Sequence, residues 1–330
     1  MEKMTVAILD SGINYKDSFF KPYIKEGKSF IGDDATNYID ENGHGSMCAA
    51  AIIKENPCVN LYIGKILDEH NLSNLKILED SLESLLGKKD VSIISLSLTL
   101  VSKRKERKLQ EICEELCKQG KIIICTLANG REKSYPAISS HVIGVRGFIL
   151  ESENTYWFNR KRKIQAVTDV NPYLLRNNRE SFQLFGKCNS YATAKFTGIV
   201  SRIMQERDIT IRKELEVVLE ESAMRNRWTR WDLKESKRFP CFEANITSDS
   251  NLVGKIVEIV SDYLNIEEPS LLYIHNLFDS HIGLNYSTAF YLLKEIEKEF
   301  NIHILDYSNI SRYDFYSIYA LEALVRRYQE

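Results

Sequence analysis

Short Ile-, Val- and Leu-rich runs recur through the first 150 residues, alternating with stretches of helical spacing. This alternation constrains the fold more than any other feature of the chain. Val6–Leu9, Leu61–Leu67, Val91–Leu98, Lys121–Ala128 and His141–Phe148 read as strands. Gly45–Ile53, Ser73–Leu86 and Lys105–Gln119 read as the helices between them. Strands alternating with helices build parallel βαβ units, and uninterrupted apolar runs suit strands covered on both faces. The expected fold class is therefore α/β: a parallel sheet with helices on both faces. Two further helices are predicted over Thr193–Glu206 and Ile211–Ser222. From Leu252 onward the pattern is wholly helical, with amphipathic stretches at Leu252–Leu264, Ser287–Phe300 and Phe315–Tyr328, which predicts a small all-α bundle.

Charge divides the chain at the same place. Residues 251–330 hold six Lys and Arg against twelve Asp and Glu, whereas the rest carries a slight positive excess. The segment RNRWTRWDLKESKRFP, polar, basic and aromatic, ends at Pro240. Two domains are expected, 1–248 and 249–330. The 330 residues, 44% apolar with a net charge of −2, exclude disorder. No apolar run is long enough to span a bilayer, and the N-terminus lacks a signal-peptide core, so neither a membrane nor secretion is expected. The seven cysteines form no CxxC pair and suggest free thiols in a reducing cytoplasm. Cys113 and Cys117, four apart, read as packing residues. The basic runs Lys103–Lys108 and Arg160–Lys163 read as solvated faces, so no nucleic acid is expected as a partner.

Four polar residues sit where such a sheet places its sites, at strand ends and helix starts. Asp10 ends the first strand before Ser11-Gly12. His44 stands between two glycines in Asn42-Gly43-His44-Gly45-Ser46. Asn129 ends the Lys121–Ala128 run, and Ser190 opens a helix in Cys188-Asn189-Ser190-Tyr191-Ala192. Each motif alone has a plain structural reading as a turn, a loop or an N-cap. Together they supply acyl-transfer chemistry. A serine hydroxyl needs a base, an imidazole titrates near neutrality, and a carboxylate holds its tautomer. Asn129 and the Ser190 backbone N–H can donate to a developing oxyanion.

At these residues the chain resembles the subtilisin-like serine proteases, or subtilases. The order Asp, His, Ser is theirs. VAILDSGI is similar to their first catalytic strand, NGHGSMCAA to their histidine helix start, and NSYATAKFTG to their nucleophile segment. TLANG resembles their oxyanion block, with Tyr135-Pro136-Ala137 after it, and SIISLSL resembles their substrate-pairing strand. The resemblance spans about residues 4–205. It implies Asp10, His44 and Ser190 as the catalytic triad, Asn129 in the oxyanion hole, and Ser97, Leu98, Thr99 and Ala128 as substrate-binding residues. Thr99 and Ala128 replace family glycines, Cys188-Asn189 replaces Gly-Thr, Ala194 a proline and Lys195 a histidine. These changes narrow the expected substrate range. The first strand begins at about Met4, so activation by propeptide removal is not expected. No cofactor and no metal are expected; Asp33-Asp34 and Asp40-Glu41 read as surface acids.

Residues 250–330 resemble acyl and peptidyl carrier proteins, through Asn276-Leu277-Phe278-Asp279, Gly283-Leu284 and Glu297-Lys298-Glu299-Phe300. In that family a serine carries phosphopantetheine. Here Tyr286 stands at that place and Ser287 one residue later, which implies a carrier-like domain without its arm. An acidic helical surface is then available to dock a protein partner. All four catalytic candidates precede residue 249, so cleavage of a short peptide is expected to survive loss of this domain. The leading reading is a cytoplasmic serine endopeptidase acting on a restricted peptide or precursor peptide, in the manner of a leader peptidase. The alternatives are a general intracellular protease and a non-catalytic peptide-binding scaffold.

Overall fold

The computed structural model describes residues 3–99, 106–234, 238 and 250–329. The division near Ser248 and the basic residues Lys103–Lys105 therefore lie outside the described residues. The described chain falls into two compact units.

The first unit is built on β1 (Met4–Asp10), β2 (Ile24–Ser29), α1 (His44–Glu55), β3 (Val59–Lys65), α2 (Leu75–Ser84), β4 (Val91–Leu96), α3 (Arg107–Lys118), β5 (Ile122–Thr126), β6 (Val142–Phe148), β7 (Tyr156–Phe158) and β8 (Ala166–Asp169). These eight strands form one sheet in the order β2-β3-β1-β4-β5-β6-β8-β7. Every pairing is parallel except that of β7 with β8. Each long apolar run predicted as a strand is one. Val6 to Leu9 are at most 1% exposed, as strands covered on both faces require. The short strands β2, β7 and β8 carry no such run and went unseen in the sequence.

The sheet's helices follow the same logic. On one side α2 and α3 close a core that includes Leu78, Leu82, Leu109 and Leu116. Cys113 belongs to it, and Cys117 Sγ donates to the His141 carbonyl at 2.8 Å, so both are packing residues. Arg107 pairs with Glu111 and Lys108 with Glu83, the pattern of a solvated helix face. Later in the unit come α4 (Asn189–Glu206) and α5 (Arg212–Ser222). Helix α4 is buried almost continuously from Tyr191 to Ser201. It approaches α1 so closely at Gly198 that a Cβ there would stand 2.6 Å from Glu55 Cβ. Lys195, at the family's histidine position, is 1% exposed and lies 3.7 Å from the buried Asp169 carboxylate, which Arg238 also reaches at 3.0 Å.

The second unit contains α6 (Ser250–Leu264), α7 (Ala289–Phe300) and α8 (Ile318–Gln329), close to the predicted helices. It is not purely helical. A hairpin, β9 (Tyr173–Arg176) with β10 (Phe182–Phe185), belongs to it. Leu174 and Leu184 lie in one core with Ile256, Leu277, Leu293 and Phe315. Backbone bonds secure both strands: Leu174 N–H to Ile310 O at 2.9 Å and Leu184 N–H to Tyr286 O at 3.1 Å. The helical unit thus takes up a segment of chain that ends only five residues before Ser190.

Candidate active site

The carboxyl ends of β1, β4 and β5 and the starts of α1 and α4 carry the candidate residues. Asp10, the last residue of β1, is buried, and its Oδ1 accepts from the Ser11 N–H at 2.7 Å. His44 opens α1, with Nδ1 2.7 Å from Asp10 Oδ1. Burial disfavours both charges, but the mutual attraction and hydrogen bonding outweigh it. The Asp10 carboxyl is held below its usual value, and the His44 imidazole well above 6.5.

The helix start is fixed by groups the motif alone does not reveal. Asp40 is 3% exposed, not a surface acid. Its carboxylate accepts from Ser11 Oγ, the Gly43 N–H and the Ser46 N–H at 2.9, 2.7 and 2.8 Å. Those donors offset the cost of burying its charge. Ser11 Oγ in turn accepts from the Gly45 N–H at 2.9 Å. Gly45 is required there, because a Cβ would sit 2.2 Å from the Gly12 carbonyl oxygen. Asp33 and Asp34 are exposed, and Glu41 pairs with Lys65 at 2.9 Å.

One turn beyond His44, Cys48 Sγ lies 3.9 Å from Nδ1 and 3.6 Å from Ser97 Oγ. Burial pushes its thiol up to about 11, so it is a neutral neighbour of the Asp10–His44 pair.

Ser190 lies in the first turn of α4, where backbone N–H groups have no intrahelical acceptor. Cys188 is the N-cap, its Sγ accepting from the Tyr191 N–H at 3.4 Å. Ser190 Oγ donates to the Ser97 carbonyl at 3.3 Å. Ser190, His44, Ser97, Leu98 and Thr99 line one cavity of about 350 Å³. Ser97 to Thr99 continue beyond the end of β4, outside its ladder. Ala128 is not among that cavity's lining; its N–H donates to Ser134 Oγ at 2.9 Å. The cavity's other wall is Leu67 and the loop Asn71–Asn74, which carried no motif; Leu72 there is 64% exposed.

Asn129 is joined to the segment that carries Ser190 through Asn189. The Asn189 N–H donates to Asn129 Oδ1 at 3.2 Å. Asn189 Nδ2 donates to the Leu127 carbonyl at 2.7 Å, and its Oδ1 accepts from the Gly147 N–H at 2.7 Å. With its oxygen engaged, the Asn129 carboxamide keeps its two N–H donors; among the described residues they make no hydrogen bond. Asn189 replaces a family threonine, and no sequence signal announced this role.

The comparisons with known proteins agree with this frame. The model of the subtilase family matches residues 2–239. The chain belongs to the subtilase family of serine endopeptidases. Among solved structures it is similar to a cold-adapted subtilisin-like serine proteinase, at 15% identity and a TM-score of 0.56, covering 67% of this chain and 84% of that one. It is similar to the nisin leader peptidase NisP from Lactococcus lactis, at 14% identity and a TM-score of 0.54, covering 66% and 82%. Sphericase gives 16% identity and a TM-score of 0.54, covering 67% and 85%. At these identities the likeness is one of fold. No curated protein matches the sequence. Among the described residues, no helix is long and apolar enough to cross a membrane.

Proposed function

We propose that this subtilase is a processing endopeptidase of restricted specificity, acting on a precursor peptide through Asp10, His44, Ser190 and Asn129. The observation that carries the reading is the 2.7 Å contact of His44 Nδ1 with buried Asp10, in a residue that shares a cavity with Ser190. Asp10 holds the Nδ1–H tautomer, so Nε2 is the nitrogen that takes the Ser190 proton as Oγ attacks the scissile carbonyl. For this step the hydroxyl must leave the Ser97 carbonyl and rotate about χ1. The tetrahedral oxyanion is stabilised by the Asn129 amino group and the Ser190 N–H. The protonated His44 then delivers its proton to the leaving amine, and water repeats the sequence to release the acyl group.

Restriction is supported by Thr99, which stands at a family glycine position and lines the cavity with Ser190. That NisP, a leader peptidase, shares the fold makes precursor processing a natural member of this scaffold's repertoire. The six free cysteines among the described residues suit a cytoplasmic setting.

Residues 249–330 we read as a carrier-like domain put to docking. Tyr286, at the place of the prosthetic-group serine, packs edge-on against Phe278 at 5.9 Å, and its carbonyl is bonded to β10. A position so used favours a structural and partner-binding role over a prosthetic group.

The test is direct. A fluorophosphonate probe should label wild-type protein at Ser190 and leave Ser190→Ala unlabelled. Incubation with precursor peptides encoded beside the gene should give one cut, with casein spared. Absence of labelling sinks the triad assignment, and casein digestion sinks the restricted specificity.

A further inference from the structure

A second cavity, of about 570 Å³, opens beside the exit of β5. Lys133, Arg146, Arg162, Lys163, Arg230 and Lys234 line it, against the single acid Glu132. Among the described residues none of the six cations lies within 4.0 Å of a carboxylate. The Nε of Arg146 is buried with no hydrogen-bond partner. Several cations elsewhere in this unit do have acidic partners, as Lys25 has Asp90, Arg160 has Glu220 and Arg225 has Glu151. Six unmatched cations around one concavity repel one another and build a positive potential that an entering anion relieves.

Three of the six heads lie against aromatic rings. The Arg162 guanidinium lies 4.6 Å from the Trp228 ring and donates to the Trp228 carbonyl at 2.9 Å. Arg230 and Lys234 lie over Trp231 at 5.0 and 3.8 Å. The basic, aromatic segment around Trp228 and the run Arg160–Lys163 are thereby brought to one place. Along the chain, Arg160–Lys163 read only as a solvated face.

The cavity's wall is tied to the segment that carries Ser190 through Asn189. Leu127, on its wall, is two residues before Asn129, and its carbonyl is the one bonded by Asn189 Nδ2. Arg146 precedes Gly147, whose N–H is held by the same Asn189. Leu127, Ile164 and Trp228 give the cavity apolar walls. Such walls suit the methylene stem of a carboxylic side chain better than a sugar–phosphate backbone, which needs an extended basic strip. We infer that this cavity is a specificity site for acidic side chains of the peptide substrate, flanking the bond that is cut. The inference rests on the protease reading and names its substrate class.

The test compares two labelled peptides that differ only in Glu against Gln at the flanking positions. Binding to Ser190→Ala protein is followed by anisotropy. The Glu peptide should bind about tenfold more tightly at about 0.01 M salt. That preference should shrink towards unity at about 0.15 M salt, where the Debye length falls from about 30 to about 8 Å. It should also vanish in Lys133→Glu/Arg230→Glu, both exposed positions, with circular dichroism reporting the fold. Lys133→Gln, a gentler change, should remove part of it. In active protein the Glu to Gln ratio of kcat/KM should follow the binding ratio. Equal binding of the two peptides in unaltered protein overturns the inference, as does tighter, equally variant-sensitive binding of a single-stranded oligonucleotide. Intact Glu preference without hydrolysis of either peptide would overturn the protease reading and uphold the cavity's.

Discussion

The Asn189 backbone N–H donates to Asn129 Oδ1 at 3.2 Å, tying the first residue of α4 to the turn that follows β5. The segment of the proposed nucleophile and the proposed oxyanion donor are thus one hydrogen-bonded unit. Replacing Asn129 by Ala should lower kcat by roughly 10²–10³ with little change in KM, because the oxyanion exists only near the transition state. Asn189→Ala should keep the backbone bond but lose those to Leu127 and Gly147. Its expected signature is a smaller fall in kcat, again with KM nearly constant. A KM effect alone in either variant, measured by steady-state kinetics, would contradict this arrangement.

Ser190→Ala removes the proposed nucleophile and almost no packing, since the side chain is partly exposed in the first turn of a helix. Turnover should fall by about 10⁶ with the unfolding midpoint unchanged. Wild-type turnover in this variant would remove Ser190 from the reaction.

Acidity should move activity and stability in opposite directions. His44 is raised above 6.5, and only its neutral form accepts a proton from Ser190, so kcat/KM should climb with pH through a midpoint above 6.5. Stability has the reverse dependence. The raised His44 contributes fully below 6.5 and ceases to contribute as pH rises through its folded value. The lowered Asp10 contributes above 3.8 and loses its contribution as pH falls through its folded value. Both contributions coexist between 3.8 and 6.5. Asp10→Asn should bring the activity midpoint down towards 6.5 and lower kcat by about 10⁴. A pH profile flat from 5 to 8 would exclude His44 as the base.

Asp169 sits buried between Lys195 and Arg238. Asp169→Ala removes the carboxylate facing a lysine that is 1% exposed and should cost about 3–5 kcal/mol in urea unfolding. Lys195→Met should cost less, since Arg238 still faces the carboxylate. The reverse order would mean that the ion pair does not govern the site.

Loss of the helical unit should not spare short-peptide cleavage, contrary to the expectation drawn from the motif positions. Removing residues 250–330 uncovers Leu174 and Leu184 and frees both hairpin strands a few residues before Ser190. Leu184→Ala alone should destabilise the protein by about 2–5 kcal/mol. Undiminished hydrolysis of a short peptide by the truncated chain would show that the hairpin does not need its helical partners.

The alternating fold and the four candidate residues were legible because each rests on a local pattern. A doubly covered strand needs an unbroken apolar run, and the Asp, His, Asn and Ser motifs sit where such strands end. Tertiary structure alone decided what depends on partners distant in sequence. Strands β9 and β10 are too short to carry a period, and the backbone groups that bond them lie more than a hundred residues onward, at Tyr286 and Ile310. Asp40 looked like a surface acid because its burial depends on four donors converging on it. Arg162 and Lys163 read as solvent-facing because no one-dimensional pattern shows which charges meet across a fold. Nor could it show that Asn189 would bridge Leu127 and Gly147, since three strand and helix ends had first to converge.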